Sequence, residues 1–318
     1  MKSRAVLAML LAWGTPARAQ SLPFHQPLNP LAAGRSTLAH QPYEAYAPGR
    51  SRISVTFEYG NAIEWDIPTS APTSFLLDAE LMRASVAWRR ELSPRAFVTV
   101  RAEAGGSYAG FADGFFFWYH DLIGFEQPER EARPRNVFGS ELALPDGRRI
   151  DRRPVPFALG DIAGTIAVRH SLTQQTALTL SLPTATSELL GRGVPGASVV
   201  HSLRVPLSAI FTFEGSLGAG VTPRHGDLAD YQRAFFVSGT TGIRWRLWGG
   251  ESVYGYFYYH SPYYRGTTIP SLDRRELTGD FGWISRSRDG REWRIGLSED
   301  LAPGDAGIDL VLKVGRTW

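Results

Sequence analysis

The chain has 318 residues, with 34 Lys and Arg against 31 Asp and Glu, a formal net charge of +3 and no cysteine. Lys2 and Lys313 are its only lysines, so the basic balance comes from arginines that are scattered and mixed with acids. This composition excludes disulfides, thiolate nucleophiles and cysteine-based metal sites, and it lacks the basic patch that would indicate nucleic-acid binding.

The beginning of the chain has the features of a secretory signal peptide. Two basic residues precede an apolar run, Ala5 to Trp13, which is too short to cross a bilayer because a helical span needs about 20 apolar residues. A small-x-small pattern then ends at Ala19. We therefore predict a cleaved signal peptide over 1–19, a periplasmic N-terminal segment over 20–49 and an outer-membrane β-barrel over 50–318.

From Arg50 onward, apolar and polar residues alternate with the period of two that is typical of β-strands. Ile53, Val55 and Phe57, for example, alternate with small polar residues. The pattern predicts an all-β fold with about twelve strands, near 51–59, 75–90, 95–104, 160–171, 176–183, 197–205, 208–220, 232–247, 252–263, 274–286, 291–299 and 307–318.

Three features favour a closed antiparallel transmembrane barrel over a soluble sandwich, which would show the same alternation. Long connections alternate with tight turns, as in outer-membrane barrels. Aromatic residues cluster near the strand ends, as in membrane-interface girdles, at Trp88, Trp245, Trp248, Tyr263, Tyr264, Trp293 and Trp318. The polar face carries mid-strand charges suited to a polar lumen, at Glu58, Arg101, Glu103, Asp161, Arg169, Glu214, Arg244, Asp280 and Arg294.

The connection 105–159 is far too long for a hairpin and is predicted to be a long extracellular loop or a plug. On a short aromatic helix starting near Ala112, the residues Phe115, Trp118, Tyr119 and Leu122 would form an apolar stripe. Such a helix could lie on the outer leaflet or fold into the barrel mouth. We take as candidate ligand or plug residues Asp113, Phe115, Phe116, Trp118, Tyr119, His120 and Asp121.

Asp113, His120 and Asp121 would share the face opposite that stripe. They could form a metal or acid–base site, or be polar groups bonded to loop backbone. We prefer the second interpretation, because a lone His with two acids lacks further ligand support. No metal site and no cofactor are predicted.

The last residues, 308–318, form an alternating strand that ends in an aromatic residue, which resembles the signal read by the outer-membrane assembly machinery. Its residues are Leu310, Leu312, Val314 and Trp318. Four further stretches, 27–30 (PLNP), 110–124 (GFADGFFFWYHDLIG), 261–264 (SPYY) and 298–301 (SEDL), resemble the family called domain of unknown function 3187. This resemblance implies a bacterial outer-membrane barrel and brings no activity.

Catalysis has little support in the sequence. The His-Ser pairs at 170–171, 201–202 and 260–261 are adjacent and would point to opposite faces of a strand, whereas a barrel hydrolase needs them on one face. The leading hypothesis is a barrel that binds or passes a small or lipidic molecule through a constricted lumen. The alternatives are an envelope protein that acts on lipopolysaccharide through its outer loops and, third, a barrel hydrolase. The expected partners are outer-membrane lipid, lipopolysaccharide and the assembly machinery. The sequence gives no oligomeric state.

Overall fold

A computed structural model describes residues 28–29, 41–47, 51–66, 72–124, 133–191, 193–301, 308 and 310–318. The wall consists of twelve antiparallel strands, which confirms the predicted number. They are β1 (Ser51–Asp66), β2 (Ser74–Ser93), β3 (Ala96–Tyr108), β7 (Ile162–Arg169), β8 (Gln174–Leu182), β9 (Gly196–Pro206), β10 (Phe211–Val221), β11 (Phe235–Arg246), β12 (Glu251–His260), β13 (Glu276–Arg286), β14 (Glu292–Asp300) and β15 (Leu310–Thr317). The predicted signal peptide, 1–19, lies outside the described residues.

The barrel closes where its first strand pairs with its last. The register of this seam runs from Ser54 opposite Thr317 to Asn61 opposite Leu310. Closure leaves no unpaired wall edge there, which is the condition for a sheet in hydrocarbon. Tight turns join the strands at one end, the turn end, and long connections join them at the other, the loop end.

Two parts of the chain differ from the sequence prediction. β1 continues to Asp66, well past the predicted end at 59, because it pairs with an equally extended β2. The long connection contains three short strands, β4 (Gly139–Ala143), β5 (Arg149–Asp151) and β6 (Ala158–Leu159), which add to the edges that β2 and β3 offer at the loop end.

Side chains alternate across the wall as the sequence pattern predicts. Outward-facing Phe57 and Leu178 are about half exposed, at 45% and 42%, while their inward neighbours Glu58 and Thr179 are buried. Exposed tryptophans surround the turn end at Trp88, Trp245, Trp248, Trp283, Trp293 and Trp318. The prediction that Tyr263 and Tyr264 belong to such a girdle is wrong, since both are buried at the loop end.

Two helices complete the described chain. α1 (Asp113–Ile123) starts next to the predicted Ala112. Gly124, whose φ of 75° is left-handed, caps its C-terminal end. The short α2 (Pro270–Asp273) lies between β12 and β13. Within the described residues, neither helix has the length and apolar character needed to cross a membrane.

Candidate functional site

The side chains inside the barrel change in character from the loop end to the turn end. At the loop end it holds an apolar core, which the predicted polar lumen did not include. Inward side chains of β2, among them Leu77 and Leu81, form this core together with residues of the long connections. The contributing residues from those connections include Leu142, Leu144, Leu189, Leu190, Leu228, Tyr263, Tyr264, Ile269, Leu272 and Ile308.

A cavity of about 420 Å³ opens within this core at the barrel mouth. Its apolar lining comes from β2 and from the connections that fold over it, at Leu77, Ala79, Leu81, Phe138, Ile150, Val155 and Leu189. Polar side chains complete the lining, at Ser107, Asp151, Arg152, Arg153, Glu188 and Asp227. Arg152 is paired with Glu188 at 2.8 Å, which neutralises part of the polar lining. The cavity therefore suits a small, mainly apolar molecule without a large net charge.

The middle of the lumen is polar, and its buried charges are paired. Arg83 donates to Glu58 at 2.6 Å, and Lys313 lies 2.5 Å from Asp280. Ser298 also donates to Asp280, at 2.6 Å. A buried charge is tolerated when it is paired and hydrogen-bonded, so these groups occupy the lumen without a large net penalty.

A column of inward tyrosines on β12, formed by Tyr254, Tyr256 and Tyr258, fills the space beside these pairs. Room for Tyr254 depends on two inward glycines of β13 and β14. A Cβ built on Gly282 or Gly296 would lie 2.6 or 2.4 Å from the Tyr254 hydroxyl oxygen, and equally close to backbone atoms. The tyrosine ring thus occupies space that any larger residue at these positions would take.

At the turn end, residues 41–47, which we call the lumen segment, lie among inward side chains of the wall. The Gln175 amide holds the segment's backbone twice, donating to the Pro42 carbonyl at 2.8 Å and accepting from the Glu44 N–H at 3.0 Å. Ser202 donates to the carbonyl of Gln41. Residues 41–47 of the predicted periplasmic segment therefore lie within the turn end of the barrel, and Leu28 of the same predicted segment packs in the apolar core of the loop end.

Two arginines fix the same segment from β2 and β7. Arg89 donates to the Glu44 carboxylate at 2.5 Å and to the Ala45 carbonyl at 3.1 Å. Arg169 donates to the Glu44 carbonyl at 2.6 Å and makes two 3.0 Å bonds to Glu91. Because the guanidinium groups present several donors in fixed geometry, they can hold backbone and carboxylate oxygens together.

The electrostatic surroundings favour an ionised Glu44. Burial raises the pKa of its carboxyl, but the neighbouring guanidinium groups of Arg89, Arg294 and Arg52 outweigh burial and hold the pKa below its usual value of 4.5. Burial also raises the pKa of Tyr43, whose hydroxyl donates to the Ser171 carbonyl at 3.3 Å. At neutral pH the segment is therefore held by a carboxylate and by a neutral phenol.

Except for Asp161, which immediately precedes β7, the predicted lumen charges lie on strands and face inward, as the strand register shows. Glu58, Arg169, Asp280 and Arg294 belong to the pairs and clusters of the middle and turn-end layers. Glu214 lies 3.8 Å from both Arg204 and Arg244. Asp161, nearer the loop end, accepts from the backbone of Ala185 at 3.0 Å. Arg101 and Glu103 face inward on β3.

The candidate residues of α1 do not lie in the lumen. Asp113, Phe116 and His120 are buried against the outward side of the wall, whereas Asp121 is exposed and separated from the other two polar residues. Phe115 and Trp118 are exposed, and Tyr119 is half-buried. Of the two placements that the sequence left open, the structure has the helix outside the barrel.

Neither a metal centre nor a histidine–serine pair stands out in the described part of the chain. No group of three or more His, Asp or Glu side chains there could hold a metal ion. His201 and Ser202 point to opposite faces of β9, and Ser202 is occupied by the lumen segment. The assembly-signal residues Leu310, Leu312 and Val314 lie on β15, with Trp318 just after it.

The sequence analysis did not predict the cavity. It also did not predict the contacts of Gln175, Arg89 and Arg169 that hold the lumen segment, which we call the clamp. A signal for the cavity is present in β2, where every odd position from Phe75 to Leu81 is apolar and every even position from Ala84 to Trp88 is apolar. Such a change of parity places apolar side chains inside the barrel at one end and outside at the other. The clamp left no local signal, because Gln175 and Arg89 meet the segment only through the fold.

The closed wall of twelve antiparallel strands defines the class: this is a β-barrel of the outer-membrane type. Residues 4–318 match the family described as Protein of unknown function (DUF3187), and the chain belongs to this family, which confirms the predicted family. No curated protein matches the sequence.

Solved structures with the same architecture include a crystal structure of an outer-membrane channel from Pseudomonas putida F1. It is 11% identical, with a TM-score of 0.54, and the match covers 86% of this chain and 96% of that one. The translocator domain of the autotransporter NalP from Neisseria meningitidis is 10% identical over 86% and 89% of the chains, with a TM-score of 0.45. The CymD monoaromatic hydrocarbon channel is 10% identical over 84% and 87%, with a TM-score of 0.42. At these identities the first similarity supports the fold alone.

Proposed function

We propose that this protein is an outer-membrane barrel that takes a small, mainly apolar molecule into its loop-end cavity. The cavity of about 420 Å³ is the observation that carries the proposal. It lies inside a closed wall, has an apolar lining from β2 and the outer connections, and meets polar groups at only part of its surface. Such a combination is typical of sites that bind apolar ligands and orient them with a few polar contacts.

Passage through the barrel would need a second step after binding, which is the release of the lumen segment. Below the cavity, the paired charges and tyrosines of the middle layer narrow the lumen, and the lumen segment occupies the turn end. These inward groups favour a constricted lumen over an open diffusion pore. The proposed function is therefore binding at the mouth, followed by transfer only when the lumen segment leaves its clamp.

The binding step can be tested with 1-naphthol, a neutral aromatic probe, on protein in lipid nanodiscs with labelled leucine methyl groups. We expect saturable shifts of the Leu77 and Leu81 methyl signals, which lie inside the wall and do not report on probe dissolved in lipid. Ala79→Phe fills the cavity and should abolish the shifts. Ala84→Phe, on the exposed outward side of the same strand, should preserve them. Unshifted signals in the native protein would contradict the proposal, as would shifts that survive Ala79→Phe.

A second candidate function is an interaction of the outer connections with lipopolysaccharide phosphates. Several arginines are exposed at the loop end, and planar guanidinium groups bind phosphate in bidentate fashion. They are Arg149, Arg224, Arg265 and Arg275, all outside the cavity lining. We expect replacement of these arginines by glutamine to weaken lipid A binding while leaving 1-naphthol binding intact. Unchanged lipid A binding would argue against this candidate.

A further inference from the structure

Helix α1 has its polar side against the barrel and its apolar side away from it. The exposed residues on and beside the helix include Phe111, Trp118 and Leu122, with exposed fractions of 75%, 57% and 66%. Its buried side carries Asp113 and His120. A surface helix of a water-soluble protein has the opposite arrangement, with apolar residues facing the core and polar residues facing water.

The wall beneath α1 explains this inversion. By register, Asn61 of β1 lies on the same outward side as Phe57, and Glu80 of β2 and Glu299 of β14 share that side. Most of the outward face along these strands is apolar, and the three polar residues interrupt it together with Asp78, which pairs with Arg133 at 2.6 Å. Asn61 and Glu80 are 1% exposed, because the chain around α1 covers them.

Specific polar contacts fix the helix at both ends. At its start, Glu80 accepts the backbone N–H groups of Phe111 and Ala112 at 2.9 and 2.6 Å, and Asp113 accepts from the Asn61 amide at 3.0 Å. Carboxylates at this end also complement the positive end of the helix dipole.

Near the other end, His120 Nδ1 donates to the Phe116 carbonyl at 2.8 Å, and its Nε2 lies 3.3 Å from Glu299. Phe116 is fully buried between these anchors and stacks with Tyr59, with ring centroids 6.3 Å apart. The helix is therefore fastened flat on the wall, and its exposed face has a fixed orientation.

We propose that this exposed face binds the acyl chains of the surrounding membrane at the level of the headgroups. The apolar face of α1 is continuous with the apolar outward face of the barrel and replaces it where the wall is polar. At its edge, the exposed Arg135 guanidinium lies 4.6 Å above the Phe117 ring. Aromatic rings with a neighbouring cation are the residues that interfacial helices present to lipid and to its phosphates.

The absence of cysteine allows a direct test with single-cysteine variants carrying a bimane label, refolded into phosphatidylcholine vesicles. Trp118→Cys and Leu122→Cys report on the helix. Leu178→Cys, outward on β8, is the lipid-facing control, and Arg224→Cys, in an exposed loop-end connection, is the water-facing control. All four side chains are exposed, so the substitutions leave the packed parts of the barrel unchanged.

Brominated lipid should quench the labels at 118 and 122 to within about twofold of the label at 178, with stronger quenching from bromines near the headgroups. Aqueous iodide should quench them several-fold less than the label at 224. Quenching by iodide with none by brominated lipid would place the helix in water and overturn the proposal. Protection from both quenchers would place it against protein, and that outcome would overturn it too.

Discussion

Gln175 offers the sharpest test of how the turn end is closed. Its side chain makes two hydrogen bonds to the backbone of the lumen segment, at 2.8 and 3.0 Å, and it is 1% exposed. Gln175→Ala removes both bonds and leaves the arginine contacts of the segment in place. The neighbouring Gln174→Ala is a matched control, because Gln174 is exposed on the opposite face of the same strand.

The expected size of the effect follows from the number of bonds lost. A net contribution of about 0.5–1.5 kcal/mol for each bond gives about 1–3 kcal/mol in total. Since about 1.4 kcal/mol corresponds to a factor of ten, the released form of the segment should become about 5- to 150-fold more populated. Gln174→Ala should change this population by less than about twofold.

Hydrogen exchange measured by mass spectrometry can read this population directly. The Glu44 N–H is itself bonded to Gln175, so peptides that cover 41–47 should exchange faster in Gln175→Ala by the predicted factor. Peptides from β8 should keep their rates, which shows that the wall is intact. In planar bilayers the same variant should give more frequent conductance steps. Equal exchange in the two glutamine variants would refute the assignment of Gln175 as a clamp.

Three further predictions concern charge and packing. Because the pKa of Glu44 is lowered, its contribution to holding the segment is complete at neutral pH and is lost as the pH falls below about 4.5 and through the lowered pKa. Acid should therefore increase the conductance of the native protein, and it should increase the conductance of Glu44→Gln much less. Lys313→Ala leaves the Asp280 carboxylate buried without its ammonium partner and should lower the free energy of unfolding by about 3–5 kcal/mol, as measured by urea titration. The double variant Lys313→Met, Asp280→Leu should largely recover this stability. Phe236→Ala, at a fully buried position, should lower the free energy of unfolding by about 3–5 kcal/mol. Phe235→Ala, at a neighbouring position that is 63% exposed, should lower it far less, and similar losses at both positions would contradict the assigned faces.

The architecture was accessible from the sequence because strand periodicity and turn chemistry are local properties. Alternation between residues such as Ile53 and Ser54 reports directly which side of a sheet each residue occupies. The number of alternating segments predicted the strand number, and the alternation of long connections with tight turns indicated the antiparallel barrel. These signals need no knowledge of distant contacts, so the inward position of charges such as Glu214 also followed from the pattern.

The contents of the lumen were harder to predict, because they depend on contacts between residues far apart in the chain. Gln175 and Pro42 are separated by 133 positions, and nothing near either one marks it as a partner of the other. Helix α1 shows the same difficulty. Its apolar stripe was evident, but which side faces the wall depends on Asn61 and Glu299, which lie on strands at opposite ends of the chain.

Because the lumen segment precedes β1 and is not a strand of the wall, the permeability of this barrel can change independently of the pairing of its strands. The hydrogen bonds described for the segment each involve a side chain, so they lie outside the backbone ladder that joins the strands. Substitutions in 41–47 can therefore alter what the interior admits and leave the inter-strand ladder unchanged. Relatives could diverge in permeability while keeping one wall, and an engineer could exchange the seal without redesigning the barrel.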